Sequence, residues 1–181
     1  MPFQGDSLKN YQGVPPMING YTAEQILFNL IKNSSKIKGF KLPSSEELIT
    51  IASSCKLGRQ RIFSATPYLL QEYGIDYRNA QTNQLTTVID WKLVPSRVIL
   101  DYIFAIDVVV NILGFVVAID VTTNPNSIED KQVKLTKLKP LWRQLGIVQA
   151  CICYVNNTKS QNLWQSLKSV TKQSQVTAFS L

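Results

Sequence analysis

Residues 98–121 form an apolar stretch whose charged residues are three aspartates, Asp101, Asp107 and Asp120. A buried carboxylate without a partner costs several kcal/mol or takes up a proton. Any fold that encloses this stretch must therefore bring a cation to it: a divalent metal, a lysine from elsewhere in the chain, or both. A membrane span is a poor alternative, because each aspartate at a helix centre costs ~2.5–3.5 kcal/mol to insert. The stretch is also rich in β-branched residues and interrupted by Gly114, which favours strands. No membrane partner is expected.

The other limits come from composition. The 181 residues are 45% hydrophobic and 17% charged, enough for one well-buried core with a small accessory lobe. The net charge of +7 suits an acidic partner such as nucleic acid, although it also fits a generically basic surface. There is no histidine, which excludes histidine-based triads and histidine-ligated zinc. Catalysis here would rest on carboxylates, lysines, hydroxyls and a bound ion. Cys55, Cys151 and Cys153 lack metal-binding spacing and read as reduced core thiols of a cytoplasmic protein. Residues 1–20 have neither a basic nor an apolar leader segment, so a signal peptide is not expected.

Pattern and punctuation divide the chain into an N-terminal arm with the first core helix (1–35), a helical insertion (36–95) and an α/β core (96–181). The first helix is expected to start at Thr22, capped with Gln25, and to bury Ile26, Leu27, Leu30 and Ile31. A basic connector with Lys36, Lys38 and Lys41 follows. Ser44 and Glu47 form a capping box for the next helix, Lys56-Leu57-Gly58 reads as a turn, and Thr66-Pro67 as the start of another helix. These helices could form a helix-turn-helix-like DNA reader, with Lys56, Arg59 and Arg61 as DNA contacts, or a plain packing insertion. Residues 85–94 read as one strand. Residues 97–104, 107–113 and 115–122 read as three consecutive antiparallel strands. A helix capped by Ser127 follows and stops at Gly146, with Pro140 kinking or shortening it. Residues 148–155 give a fourth strand, and 161–172 a last helix.

A tight turn at Leu113-Gly114 sets Asn111 opposite Val116, and the same register sets Asp107 opposite Asp120. Two carboxylates facing each other on one side of a hairpin repel, and a divalent cation between them removes the conflict. Mg²⁺ or Mn²⁺ takes oxygen ligands, typically one or two carboxylates with the rest left to water and phosphates. A buried ion pair or a protonated carboxyl pair is the alternative. Asp101 would join the pair only if no bulge intervened.

The stretch AIDVVVNILGFVVAIDVTTNP resembles the core of the PD-(D/E)XK nuclease superfamily, which has the restriction-endonuclease-like fold. The resemblance covers residues 97–155 and the helix from Thr22. It implies a mixed sheet flanked by helices, and a metal held by Asp107 and Asp120, with Glu24 at a place where many members carry a further acid. Thr122 stands where the family has its catalytic lysine. Some members take that lysine from the following helix, and Lys131 and Lys134 are the candidates here. Otherwise they belong to a DNA-binding basic stripe with Lys137, Lys139 and Arg143.

The expectation is thus a Mg²⁺-dependent endonuclease acting on DNA, and the family suggests a homodimer. The alternatives are a nucleic-acid-binding or assembly subunit that has lost cleavage, for which Thr122 speaks, and a scaffold without nucleic acid.

Overall fold

The computed structural model describes residues 19–156 and 162–181; the expected N-terminal arm lies almost wholly outside them. The chain folds as an α/β protein around a five-stranded mixed sheet flanked by helices. In chain order the elements are α1 (Gly20–Lys32), β1 (Ile37–Gly39), α2 (Ser45–Ser53), α3 (Lys56–Tyr73), β2 (Gly74–Arg78), β3 (Leu85–Ile89) and α4 (Ser96–Ile99), which runs on as a π-helical turn, Leu100–Phe104. Then come β4 (Val108–Ile112), β5 (Phe115–Thr122), α5 (Ile128–Trp142), β6 (Gln149–Tyr154), α6 (Leu163–Val170) and β7 (Thr177–Ser180).

The sheet order is β1-β4-β5-β6-β7. The first two pairings are antiparallel and the last two parallel. The expected hairpin forms in the expected register, with Asn111 opposite Val116 and Val108 opposite Ile119. Leu113 and Gly114 both have positive φ, 53° and 88°, as a two-residue hairpin turn requires. The Asn111 side chain accepts from the Gly114 amide at 3.0 Å.

Alternation along the strands sends side chains to two cores. Val110, Val117, Ile119, Val121, Cys151 and Cys153 pack with α1 and α6. Val109, Ala118, Ala150 and Ile152 face the other way, under α2, α3, α4 and α5. Asp120 and Thr122 alternate with Ala118 and so belong to this second face. Cys151 and Cys153 are buried free thiols, as expected. Among the described residues no helix is long and apolar enough to cross a membrane.

Several expectations fail for identifiable reasons. Residues 97–104, read as a strand, are helical, because Ile99, Leu100, Ile103 and Phe104 are the buried positions, a helical spacing that overrides β-branched propensity. The third antiparallel strand comes instead from 37–39, inside the segment read as a basic connector: Ile37 turns into the core while Lys38 stays exposed. At Lys56-Leu57-Gly58 there is no turn but the start of α3, which continues through Pro67; α5 likewise continues through Pro140. Each proline leaves one carbonyl four residues earlier without its amide partner. Those carbonyls belong to the exposed Phe63 and Thr136, where water can serve. The first helix is capped by Asn19 rather than Thr22, and Ser127 makes no side-chain cap for α5. The strand read over 85–94 stops at Ile89, paired with β2 in a separate hairpin. β7, paired with β6, was not expected at all. The capping box at Ser44 and Glu47 is present in full, and Gly146 ends the α5 segment at φ 75°.

The insertion is clamped where α2 meets α3. A Cβ at Gly58 would lie 1.9 Å from the Ala52 carbonyl oxygen, so the two helices touch backbone to backbone there. Gly58→Ala should force them apart and destabilise the protein by roughly 1–3 kcal/mol, measured as a lower denaturant midpoint with unchanged slope.

Candidate active site

The hairpin register brings the two acids together on the face covered by α5. The ladder ends at Val108, and the chain leaves it at Asp107. The Asp107 amide donates to the Ile119 carbonyl at 3.1 Å, and its carboxylate accepts from the Val121 amide at 2.6 Å. The side chain thus takes the place of the next strand carbonyl. Just before it, Ala105 adopts φ 57° and ψ 47°, a left-handed conformation unusual for a residue with a Cβ. This turn converts the π-helical end into the start of β4.

Asp120, in the middle of the sheet, is buried and forms an ion pair with Lys131, whose ammonium also donates to the Val121 carbonyl at 2.8 Å. The strand-to-helix connection delivers this lysine. Thr122 Oγ1 lies 2.8 Å from Ser127 Oγ and accepts from the Asn124 amide at 3.2 Å, so the residue at the expected lysine position braces the turn that launches α5. Lys134, one turn further along, makes no ion pair among the described residues and lies in the electrostatic range of Asp120, Asp101 and Arg61. Burial, then Arg61, draws its ammonium below the usual lysine range.

Among the described residues Asp107 has no ion pair. Burial first, and then the charges of Asp120 and Asp101, push its carboxyl up to about 7 against the Val121 hydrogen bond. Asp101 sits on the helix leading into this corner and is likewise raised, by burial and then by Glu24. Glu24 itself is bound to Arg97 at 2.6 Å, and Arg97 stacks over Phe28 at 5.0 Å. Among the described residues no three acidic, cysteine or histidine side chains form a metal cluster. The structure therefore unites Asp107, Asp120 and Lys131, and ties Glu24 to an arginine instead.

The other basic candidates are spread out. Arg61 Nε donates to the Ile103 carbonyl at 3.0 Å and its Nη2 to that of Tyr102, so this side chain caps the end of the π-helical turn. Arg59 donates to the Ser53 carbonyl at 2.8 Å and, with Lys56, borders a surface depression beside Phe63. Lys137 lines a different depression with Lys139 and Val176. Sequence reasoning missed Val121, which contributes only its backbone and leaves no sequence signal. Arg61, expected as a DNA contact, has its place beside the corner through α3 packing on the segment expected to be a strand.

No family model, curated protein or solved structure matches this chain.

Two outcomes follow from these charges. The Asp107 carboxyl titrates near 7 when folded and near 4 when unfolded, so the native state holds the extra proton between those values. Its contribution to stability is present below about pH 4 and is lost as pH rises through about 7. In EDTA, Asp107→Asn should melt higher than the parent at pH 8, with the gap closing toward pH 4. Lys131→Met should leave Asp120 uncompensated and cost roughly 1–3 kcal/mol in denaturant melts, with most of the loss recovered in the Lys131→Met/Asp120→Asn double variant.

Proposed function

We propose that this chain is a metal-dependent endonuclease acting on DNA, with the restriction-endonuclease-like fold that its sequence resembles. The supporting observation is the arrangement of Asp107 and Asp120 on neighbouring strands with a lysine from the next helix against the second acid.

The donor set fits a hard divalent cation. Both acids are on one face, Asp107 makes no ion pair among the described residues, and two oxygens of β5 already converge on one ammonium. Asp107 and Asp120 would hold Mg²⁺ or Mn²⁺. Such an ion, when bound, lowers the pKa of water and offsets phosphodiester charge. Lys131 pairs with Asp120 and, released from it, has the reach to orient the attacking water or take its proton. Lys134 carries a second positive charge to the same corner for the phosphate. Glu24 has a supporting place through Arg97 rather than as a ligand.

A second reading, a DNA-binding or assembly subunit without cleavage, draws on the Asp120–Lys131 pair, since that lysine already neutralises one of the two acids. The two readings part in one experiment. Purified protein with supercoiled plasmid should nick it in Mg²⁺ or Mn²⁺ and not in EDTA. Asp107→Ala, Asp120→Ala and Lys131→Ala should each lower the rate by 100-fold or more, on the scale of lost acid–base or electrostatic assistance. Mg²⁺ should also raise the melting temperature of the parent more at pH 8 than at pH 5, because protons compete for Asp107. Salt-sensitive DNA binding with no nicking and no such shift would favour the second reading.

A further inference from the structure

Beside the acid pair lies a groove of about 370 Å³ whose lining includes Arg61, Tyr68, Asp101, Tyr102 and Lys134. It adjoins the corner, because Lys134 lies one turn along α5 from Lys131 and Asp101 lies on the π-helical turn that leads to Asp107. Its two tyrosines come from different elements, Tyr68 from α3 and Tyr102 from the π-helical turn, yet their ring centroids are 6.3 Å apart. The rings are tilted by 40°, so neither face closes the other. Tyr68 is 62% exposed and Tyr102 36%, and neither phenol is used in a hydrogen bond within the described residues. Two cations line the groove against one acid. Among the described residues Lys134 makes no hydrogen bond or ion pair, and Arg61 spends Nε and Nη2 on carbonyls while its Nη1 has no partner.

Open aromatic faces next to unpaired cations, at the edge of a phosphoryl-transfer corner, suit one kind of ligand. A base inside a duplex has both faces covered by its neighbours, so only an unpaired base can lay its face on an exposed ring. Resting on the nuclease reading above, we infer that this groove takes a single-stranded or splayed segment of DNA, with bases on Tyr68 and Tyr102 and backbone phosphates on Lys134 and Arg61. The substrate class is then a strand end, overhang or opened duplex, delivered to Asp107 and Asp120 along the α3–α5 cleft.

The test uses the full chain in EDTA and compares, by fluorescence anisotropy, a mixed-sequence single strand, the same strand with abasic sites, and a blunt duplex. The intact strand should bind about 10-fold tighter than either alternative, the order expected when a base is stacked. Tyr68→Ala and Tyr102→Ala should each remove most of that preference, and Tyr68→Phe should keep it. Lys134→Gln should weaken all three probes and lower the salt slope by about one. Equal binding of abasic and intact strands, tighter binding of the blunt duplex, or unchanged binding in both alanine variants would overturn the assignment. Adding Mg²⁺ or Mn²⁺ then separates the two proposals. Tyrosine-dependent strand binding without cleavage of any probe removes the nuclease and keeps the groove. Cleavage of the single strand by Tyr68→Ala and Tyr102→Ala at the parental rate removes the groove and keeps the nuclease.

Discussion

Placing two carboxylates across one strand pair, on a face that a helix then covers, is the constraint around which this protein is arranged. Neither acid can be left in apolar surroundings as a bare charge. Asp120 is met by Lys131 from the first turn of α5, and Asp107 by a hydrogen bond from the Val121 amide. The asymmetry matters chemically. One acid has a fixed cationic partner, whereas burial pushes the carboxyl of the other up to about 7.

The surrounding elements serve that corner in distinct ways. The hairpin supplies the facing positions, and the Thr122–Asn124–Ser127 hydrogen bonds set the exit of β5 so that α5 begins over its end. The buried face of α5, with Leu135, Leu138, Leu141 and Trp142, docks the helix and fixes the azimuth of Lys131. Across from it, α3 packs on the π-helical turn, and Arg61 ties the two together through backbone carbonyls. The insertion is thereby one wall of the cleft rather than a separate lobe, and the tyrosines of the groove come from both sides of that junction.

Much of the core could be read from residue order. The Leu113-Gly114 turn and the alternation around it predict the hairpin and its register, because turn geometry and period-two burial allow few alternatives. The Ser44–Glu47 box and the glycine stop at Gly146 are local devices and were equally legible. Misreadings cluster where local propensity and tertiary burial disagree. The segment around Ile99–Phe104 has strand-like composition but helical burial, and 37–39 is too short and too polar to announce itself as an edge strand. Pro67 reads as a helix start and Pro140 as a kink or an early end, yet each lies inside a continuous helix, where the lost hydrogen bond falls on an exposed carbonyl.

Charge and pattern by themselves predicted a cation for the buried aspartates, which Asp120 finds in Lys131, set Asp107 and Asp120 in one hairpin register, and placed lysines in the first turns of the following helix. These follow from desolvation cost and from fixed repeat geometry, both of which act locally. Which lysine meets Asp120, that Asp107 remains without one, that Glu24 turns to Arg97 and that Tyr68 meets Tyr102 were decided only by the packing of α1, α3 and α5 on the sheet. Contacts between residues far apart in the chain depend on how whole faces dock, and a single sequence carries no local record of that.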